Sequence, residues 1–441
     1  MKRLLLVLLT ICMLGLAAGC GQTADPTDGG EISAPDQFRS DELEKYTIVY
    51  GENNPQYAAL ANGLADHILE KYDRFLSVAC DTDAPAAAYE IILGDTNRSK
   101  QQGRIMEYAV TVEEGRLLIS AGGAFSLEQA LNDLCVNVLN GQSFALEKGV
   151  YNQVSFLIKS QPVSEGTTAR VMSANVLADA FADSAYKDAS YRAEIFAGTL
   201  LSYTPDVVGL QETDENWNTV LDAYIEKMET IYGISYARHL AAYEEQVNYT
   251  SLLYRSDKFQ AQDSGVNVFN WWKDEAFHHN YHMRNISWAQ FSSVTDPDAV
   301  FIVANTHWSY RTEHDGGNTF LAGADKPIAT NELRQQCKDE TNAFMTSLRN
   351  KYPEMPIFLT GDFNTSLPFF TESGWTPAEF RVISEEAKEN GKSISLVPES
   401  GHFDHIFGAG SYIINLYGFF YGPNYHDLMT DHPFVYVDLT F

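Results

Sequence analysis

The chain has 441 residues, of which 45% are hydrophobic and 20% are charged. This length favours two domains, and the apolar content is enough for substantial cores. The formal net charge of −29 argues against a protein that holds nucleic acid on a broad basic surface, although a local basic groove or metal-bridged phosphate contacts stay open.

The first residues have the organisation of an export signal. Lys2 and Arg3 precede an apolar run over residues 4–16, which suits a signal peptide and is short for a membrane span. Small residues then lead to Cys20 in a pattern similar to a bacterial lipobox. We therefore expect a lipoprotein signal peptide over residues 1–19 and lipidation of Cys20, with an ordinary signal peptide as the alternative. The mature protein would be extracytoplasmic and lipid-anchored to the bacterial cell membrane.

Two further regions precede the part of the chain that carries the chemistry. Residues 20–42 are dominated by Gly, Pro, Ser, Thr, Asp and Glu, a composition typical of a flexible tether. Over residues 43–160, strand patterns alternate with helical ones, which predicts a small α/β accessory domain. The predicted strands and helices of this domain are residues 46–50, 58–72, 89–93, 108–112, 116–119 and 126–139.

The segment Tyr89–Arg98 of the accessory domain is similar to the small domain that precedes the barrel in hexosaminidase-type glycoside hydrolases. It contains Gly94-Asp-Thr-Asn97, a strand end with a carboxylate and an amide. No matching set of His and Glu surrounds this strand end in the sequence. We interpret the domain as a packing or spacer module, with glycan binding as the alternative.

The most informative strand end is Gly361-Asp-Phe-Asn364, which follows the apolar run over residues 357–360. Such a strand delivers a carboxylate and an amide to the rim of a sheet, where catalytic residues commonly lie. Taken alone, it is equally well explained as an Asx turn, because Asp and Asn favour turns.

Other segments repeat the design of an apolar strand with a polar tip. Arg170–Asn175 ends in an amide, Asp206–Glu212 in a carboxylate and Phe301–His307 in an imidazole. Two Asp-His pairs follow, at Asp404-His405 and Asp431-His432. Each would be ordinary alone, but their combination predicts one shared site.

In this combination the chain resembles the endonuclease/exonuclease/phosphatase superfamily, over about residues 168–441. The matching motifs are Ser173-Ala-Asn175, Leu210-Gln-Glu212-Thr213, Leu253-Tyr-Arg255, Asn305-Thr-His307, Gly361-Asp-Phe-Asn364, Asp404-His-Ile-Phe407 and Asp431-His432. The resemblance implies an α/β, DNase I-like two-sheet β-sandwich flanked by helices, with the site at one end of the sheets. The small α/β accessory domain would precede it.

Phosphoester hydrolysis accounts for these residue types. A hard cation such as Mg²⁺, or Mn²⁺ or Ca²⁺ in its place, takes oxygen ligands. Glu212 is the strongest candidate ligand, Asn175 could hold a metal-bound water or a phosphate oxygen, and Asp431 would lie near the metal. The metal would polarise the phosphoryl group. The resemblance implies the same roles for these positions.

The remaining polar residues fit acid–base and substrate-binding roles, which the resemblance also implies. Asp362 and Asn364 would orient or deprotonate the attacking water, and Asp404 would fix the ring of His432. His307 would donate to a non-bridging oxygen or assist the leaving group. Two arginines could bind substrate phosphate or form ordinary surface ion pairs: Arg255 and Arg284.

Two departures from the family pattern move the expectation away from DNA cleavage. Asn248 stands where relatives that cleave nucleic acid often carry Glu, and Leu177 stands where some abasic-site nucleases carry an acid. We therefore expect an extracytoplasmic metal-dependent phosphoesterase acting on a phosphodiester or phosphomonoester, such as a lipid head group, inositol phosphate or sugar phosphate. The alternatives are a surface nuclease and a lipoprotein that binds glycans or phosphorylated polymers without turnover.

Overall fold

The structure is a computed structural model. It describes residues 36–441 except 53–55, 100–102, 159, 180–181, 183–185, 240–249, 271–272, 274–283, 309–329, 366–379, 395–402 and 421–422. The predicted signal peptide, Cys20 and Asn248 lie outside the described residues. Among the helices that the structure describes, none is both long and apolar enough to cross a membrane.

The N-terminal part of the fold is a six-stranded sheet with two helices. In sheet order its strands are β3 (Ser77–Cys80), β2 (Thr47–Tyr50), β4 (Glu90–Leu93), β6 (Arg116–Ala121), β5 (Glu107–Glu113) and β8 (Gly149–Ser155). The first four strands run parallel, and β5 and β8 are antiparallel to their neighbours. Helices α1 (Tyr57–Tyr72) and α2 (Ala124–Asn137) pack against this sheet.

The prediction of a flexible tether up to residue 42 is wrong at its C-terminal end. Gln37–Arg39 forms β1, which pairs antiparallel with β7 (Ala145–Glu147). A 3-10 helix over Ser40–Lys45 follows. Phe38 is fully buried, with its ring 5.0 Å from that of Tyr46. One aromatic residue in a polar stretch therefore anchors the segment, because burying a phenylalanine side chain is worth about 1.5–3 kcal/mol.

The C-terminal part is built on two six-stranded sheets. In sheet order the first contains β11 (Tyr236–His239), β12 (Leu252–Arg255), β10 (Val207–Gln211), β9 (Ala169–Asn175), β20 (Phe434–Thr440) and β19 (Ile413–Phe420). The second contains β13 (Phe259–Val268), β14 (Asn285–Ser293), β15 (Val300–His307), β16 (Ile357–Asp362), β18 (Asp404–Ala409) and β17 (Arg381–Val382).

The inner faces of these sheets form one apolar core, with Val171 and Val437 of the first sheet packed with Val303 and Phe358 of the second. Helices cover the outer faces. α3 (Ala189–Tyr203) and α4 (Glu215–Tyr232) pack on the first sheet, and α5 (Thr330–Lys351) packs on the second. The short helix α6 (Ile383–Glu389) instead contacts β18 and β19, one strand from each sheet, and adds Ile383 and Ala387 to the core between the sheets. The predicted two-sheet sandwich flanked by helices is thus confirmed.

Strand register explains why the polar tips meet. β9 and β10 are parallel, with Gln211 opposite Asn175. β15 and β16 are also parallel, with His307 opposite Asp362, and antiparallel β18 begins with Asp404 opposite Asp362. The ends of these strands therefore lie at one end of the sandwich.

Candidate active site

The amide of Asn175 joins the two sheets at this end. Its Nδ2 donates to Glu212 Oε1 and to Asp362 Oδ2, both at 3.0 Å. Its Oδ1 accepts from the backbone N–H of Leu177 at 3.0 Å. This orientation of the amide is the one that satisfies all three partners, since a carboxylate can only accept. Asn175 therefore fixes the separation of two carboxylates from different sheets.

Glu212 follows the last residue of β10 and turns out of the strand, with a left-handed φ of +64°. Its Oε2 accepts from the backbone N–H of Ala178 at 3.0 Å. Burial raises the pKa of Glu212, against the lowering effect of its hydrogen bonds to Asn175 and Ala178. A left-handed non-glycine residue costs free energy, and such strain is commonly found where a side chain must be aimed at a functional site.

Asp362 lies at the centre of the cluster. Its Oδ1 accepts from the backbone N–H of Asn364 at 2.8 Å, so the Asx turn considered from the sequence does form. Burial raises the pKa of Asp362 to about 6, with the nearby carboxylate of Asp404 adding to the rise and His432 opposing it. Gly361 is required before it, because a Cβ there would lie 2.5 Å from the carbonyl oxygen of Thr306.

Asn364 also adopts a left-handed φ, of +49°. Its Nδ2 donates to the carbonyl oxygen of Trp308 at 3.1 Å and lies 3.2 Å from His307 Nε2. This geometry turns the amide back towards the end of β15. The predicted pair Asp362 and Asn364 thus contacts two different neighbours, Asn175 and His307.

His307 is buried against the carboxylates. Its Nε2 lies 3.3 Å from Asp362 Oδ2 and 3.9 Å from Glu212 Oε1. One donor atom from each of Glu212, His307 and Asp362 falls within 4.8 Å of the others, as needed to hold a metal ion. Within the described part of the chain, neither carboxylate forms an ion pair with Lys or Arg. Two neighbouring carboxylates without a Lys or Arg partner fit a divalent cation.

A second pair lies on the other side of Asp362. His432 Nδ1 lies 2.8 Å from Asp404 Oδ2, and His432 Nε2 lies 3.7 Å from Asp362 Oδ2. Burial disfavours the imidazolium, but the carboxylates of Asp404 and Asp362 outweigh it and raise the pKa of His432 well above its usual value. His405, next to Asp404 on β18, points away and contacts the carbonyl oxygen of Thr365 at 3.1 Å, as strand alternation requires.

The structure places Asp431 at the edge of the cluster. Its side chain is 54% exposed, and its Oδ1 lies 3.9 Å from His432 Nε2. It is not part of the compact donor group formed by Glu212, His307 and Asp362. A metal-binding role for Asp431 stays a prediction, with less geometric support than that of Glu212.

The prediction that Arg255 binds substrate is wrong. Its backbone N–H donates to the carbonyl oxygen of Asp206, before the start of β10, whereas Glu212 follows the end of that strand. Asp206 and Glu212 are six residues apart along the strand, so Arg255 lies roughly 20 Å from Glu212. The guanidinium is paired instead with Asp257, at 2.7 and 2.6 Å. The linear motif could not reveal this, because β12 runs antiparallel to β10 and carries its arginine to the opposite end.

Arg284 lies at the same end of the sandwich as the candidate site. It immediately precedes β14, whose Ile286 pairs with Thr306 near the end of β15, and the residue is 5% exposed. Its role in binding phosphate stays a prediction. The sequence also places His278, His279 and His282 close along the chain to Trp271 and Trp272, and these five residues lie outside the described residues.

Two supporting interactions were not predicted from the sequence. Thr430 donates to the carbonyl oxygen of Asn175 at 2.9 Å and accepts from the backbone N–H of His432 at 3.2 Å. Below the site, Gln211 Nε2 donates to Asn305 Oδ1 at 2.6 Å, and Asn305 Nδ2 donates to the carbonyl oxygen of Leu210 at 2.7 Å. The only sequence signal for either interaction was that Thr430, Gln211 and Asn305 are polar and stand close along the chain to the predicted site residues.

Comparison with known proteins gives one family match. The model of the Endonuclease/Exonuclease/phosphatase family matches residues 172–415. No curated protein matches the chain. The endonuclease/exonuclease/phosphatase from Bacteroides vulgatus is 18% identical, with 62% of this chain and 98% of that chain covered and a TM-score of 0.46.

Two other solved structures are similar at the same level. For the human Nocturnin catalytic domain the identity is 16%, the coverage 62% of this chain and 94% of that chain, and the TM-score 0.44. The mannosyl-6-phosphatase of Bacteroides thetaiotaomicron is 16% identical, with 62% of this chain and 100% of that chain covered and a TM-score of 0.42. On the family match, which covers more than half of its residues, the chain belongs to the Endonuclease/Exonuclease/phosphatase family of divalent-metal-dependent hydrolases of phosphate esters.

Proposed function

We propose that this protein hydrolyses a phosphodiester or phosphomonoester outside the cytoplasm, in a reaction that depends on a divalent cation. The observation that carries the proposal is the environment of Asp362. One buried carboxylate oxygen lies 3.0 Å from the Asn175 amide, 3.3 Å from His307 and 3.7 Å from His432. An amide, two imidazoles and a second carboxylate around one aspartate are the groups that phosphoryl transfer from an ester to water needs.

Glu212 would be the main ligand of Mg²⁺, or of Mn²⁺ or Ca²⁺ in its place. Its side chain is 12% exposed, whereas that of Asp362 is 1% exposed, so an incoming hydrated ion meets Glu212 first. The bound cation would supply positive charge against the phosphoryl oxygens and the leaving oxygen. Asn175 would keep the Glu212 carboxylate in place through its hydrogen bond.

Asp362 is the best placed proton acceptor for the attacking water. Its pKa of about 6, raised by burial, makes it a stronger base than an exposed aspartate while leaving it ionised at neutral pH. Asn364 orients the turn that presents this carboxylate, through its backbone N–H. Asp404 is less suited to the role because it is fully buried behind His432.

His432 would act as a cation towards the phosphoryl oxygens. Asp404 holds the ring through Nδ1, which leaves Nε2 facing the cluster. A fixed positive charge in a buried site stabilises developing negative charge without reorganisation. His307, on the opposite side of Asp362, would donate to a non-bridging oxygen or to the leaving group.

The charges around the cluster favour a small ester over nucleic acid. Beside the cluster, the side chain of Asp431 is 54% exposed, and the whole chain carries a formal net charge of −29. Arg255, the expected phosphate-binding arginine, lies at the other end of β10. This negative charge disfavours the long backbone of a nucleic acid, so we favour a lipid head group, an inositol phosphate or a sugar phosphate as the substrate class.

The proposal includes the extracytoplasmic lipid anchor at Cys20. Labelling of growing cells with a radioactive fatty acid should mark the wild-type protein and leave a Cys20→Ser variant unlabelled. Equal labelling of both proteins would contradict the anchor without touching the proposed chemistry.

The proposed activity is tested with bis-para-nitrophenyl phosphate, para-nitrophenyl phosphate and supercoiled plasmid DNA, each with Mg²⁺, Mn²⁺ or Ca²⁺. Turnover of a nitrophenyl ester without plasmid nicking is the expected result. Nicking at the same enzyme concentration would instead favour the nuclease. If none of the three substrates turned over with any of the cations, the esterase proposal would be contradicted and the binding protein favoured.

A further inference from the structure

A fully buried arginine on α3 lies directly behind the candidate site. Arg192 Nη1 donates to the carbonyl oxygens of Val176, Leu177 and Met429, at 2.9, 2.6 and 3.2 Å. Its Nε donates to the carbonyl oxygen of Lys187 at 2.7 Å, and its Nη2 pairs with the carboxylate of Asp179. The guanidinium is therefore bonded to two segments that are far apart in the chain.

Both segments carry parts of the site. The first, residues 176–179, contains the backbone N–H of Leu177 that fixes Asn175 and the backbone N–H of Ala178 that fixes Glu212. The second, residues 429–432, contains Thr430, whose hydroxyl bonds the carbonyl oxygen of Asn175 and the backbone N–H of His432. A cation that holds both segments sets the distance between the Glu212 side and the His432 side of the cluster.

We propose that Arg192 is a positioning residue for this active site, an inference that rests on the proposed phosphoesterase function. It touches none of the groups assigned to the chemistry. It acts through the backbone of the two segments, and so through Asn175, Glu212 and His432.

The choice of arginine follows from the geometry. Its planar guanidinium offers five N–H donors in a fixed fork, whereas lysine offers three on one nitrogen. The Trp217 ring lies 5.1 Å from the guanidinium carbon, and the Trp217 Nε1–H donates to the carbonyl oxygen of Leu177 at 2.8 Å. The guanidinium thus lies between an aromatic face and the carbonyl oxygens it bonds, where a shorter or more mobile cation would leave some of them unsatisfied.

The other side of α3 is fixed by the N-terminal part of the fold. Glu194 lies two residues after Arg192, roughly 200° around the helix. Its fully buried carboxylate accepts from the backbone N–H groups of Met106 and Ser126, at 2.9 and 3.0 Å, and from the Ser126 hydroxyl at 2.7 Å. Since Ser126 is in the first turn of α2, the accessory region holds the helix that carries Arg192.

Arg170 provides a matched control. It is also fully buried, and it bonds the carboxylate of Asp438 and the carbonyl oxygens of Gln161, Pro162 and Tyr203. It lies near the start of β9, whereas Asn175 is at the end of that strand, roughly 17 Å away. Replacing Arg170 therefore perturbs an equally buried hydrogen-bond network at the end of the sandwich away from the candidate site.

The test compares Arg192→Met, Arg192→Lys and Arg170→Lys with the wild type. Backbone amide exchange is followed by mass spectrometry in peptides covering residues 176–179 and 429–432, and kcat and KM are measured on the better nitrophenyl ester. We expect both Arg192 variants to exchange faster in both segments, with kcat lowered about 10- to 100-fold and KM changed about twofold or less. Arg170→Lys should lower the melting temperature while leaving both segments and kcat close to wild type.

Unchanged exchange in either segment of the Arg192 variants would overturn the proposal. So would the same exchange pattern and kcat loss in Arg170→Lys, which would make the effect one of general stability. If Arg192→Met does not fold, Arg192→Lys alone decides. If the wild type hydrolyses neither ester, the proposed function has failed, but the exchange data still show whether Arg192 holds the two segments.

Discussion

Two strand ends of this molecule carry the same pattern, Gly-Asp-x-Asn. Gly94-Asp-Thr-Asn97 follows β4 in the accessory region, and Gly361-Asp-Phe-Asn364 spans the end of β16 in the sandwich. Burial raises the pKa of the aspartate in both patterns. Locally, the two strand ends resemble each other in sequence and in electrostatics.

Their neighbours differ. Asp362 is surrounded by Asn175, His307 and His432, which come from other strands and a loop. The Asn97 side chain, by contrast, donates to the carbonyl oxygen of Asp81, and Asp95 Oδ1 has no hydrogen-bond partner among the residues that the structure describes.

The glycines differ as well. Gly94 adopts a left-handed φ of +68°, whereas Gly361 is required by the close approach of Thr306. The four-residue pattern thus specifies only a turn. A catalytic site forms only where the register of several strands brings the polar residues at other strand ends to the same place.

The largest expected difference between the two patterns is in catalysis. Asp362→Asn should lower kcat by about 10²–10⁴-fold, because it removes the proton acceptor at the centre of the cluster. Asp95→Asn is the matched change and should leave kcat close to wild type. Initial rates on a nitrophenyl ester at saturating metal measure both. A large loss in Asp95→Asn, or none in Asp362→Asn, would reverse the assignment of the two strand ends.

A smaller loss is expected from the pair behind Asp362. Asp404→Asn should lower kcat by roughly 10²-fold, since the His432 ring loses the carboxylate that orients and charges it. The adjacent His405→Asn is the control, because His405 points away from the cluster. Steady-state kinetics give kcat for both variants, and an equal loss of kcat in the two would contradict this account.

The contact of Glu194 on α3 with the accessory region should show its contribution in stability. Burial raises the pKa of Glu194, so the folded state binds its proton more tightly than the unfolded state does. Its contribution to stability is therefore fully present below the ordinary carboxyl pKa and is lost as pH rises through the higher folded pKa.

The variant Glu194→Gln removes this titration. Relative to the variant, the wild type should become progressively less stable as pH rises from 4 to 8, as measured by thermal unfolding of both proteins across that range. A difference in melting temperature that does not depend on pH would show that Glu194 has the same pKa in both states.

The smallest effect is expected at the second residue of the accessory pattern. Asn97→Ala should cost about 1 kcal/mol of stability through the lost hydrogen bond to Asp81, with kcat unchanged. Asn364→Ala removes the corresponding residue of the sandwich and should lower kcat. Chemical unfolding measures the stability of both variants, and initial rates measure their kcat. A loss of kcat in Asn97→Ala but not in Asn364→Ala would contradict the prediction.

The family resemblance implied the sandwich, whereas the apolar strands with polar tips predicted only that their tips would share one site. The structure does bring Asn175, Glu212 and Asp362 within hydrogen-bond distance. What could not be predicted depends on long-range pairing. Antiparallel β12 carries Arg255 away from the site, and Arg192 reaches Met429, which is 237 residues later in the chain. Phe38 likewise finds its partners only in the folded protein.

The most direct test of the central claim is a chelator titration of ester hydrolysis by the wild type and by Asp362→Asn. We predict that wild-type turnover disappears when the chelator exceeds the metal and returns on addition of excess Mg²⁺. Asp362→Asn should remain at the low rate at every Mg²⁺ concentration. Wild-type turnover that persists in excess chelator, or an Asp362→Asn variant that recovers with Mg²⁺, would contradict a metal-dependent phosphoesterase centred on Asp362.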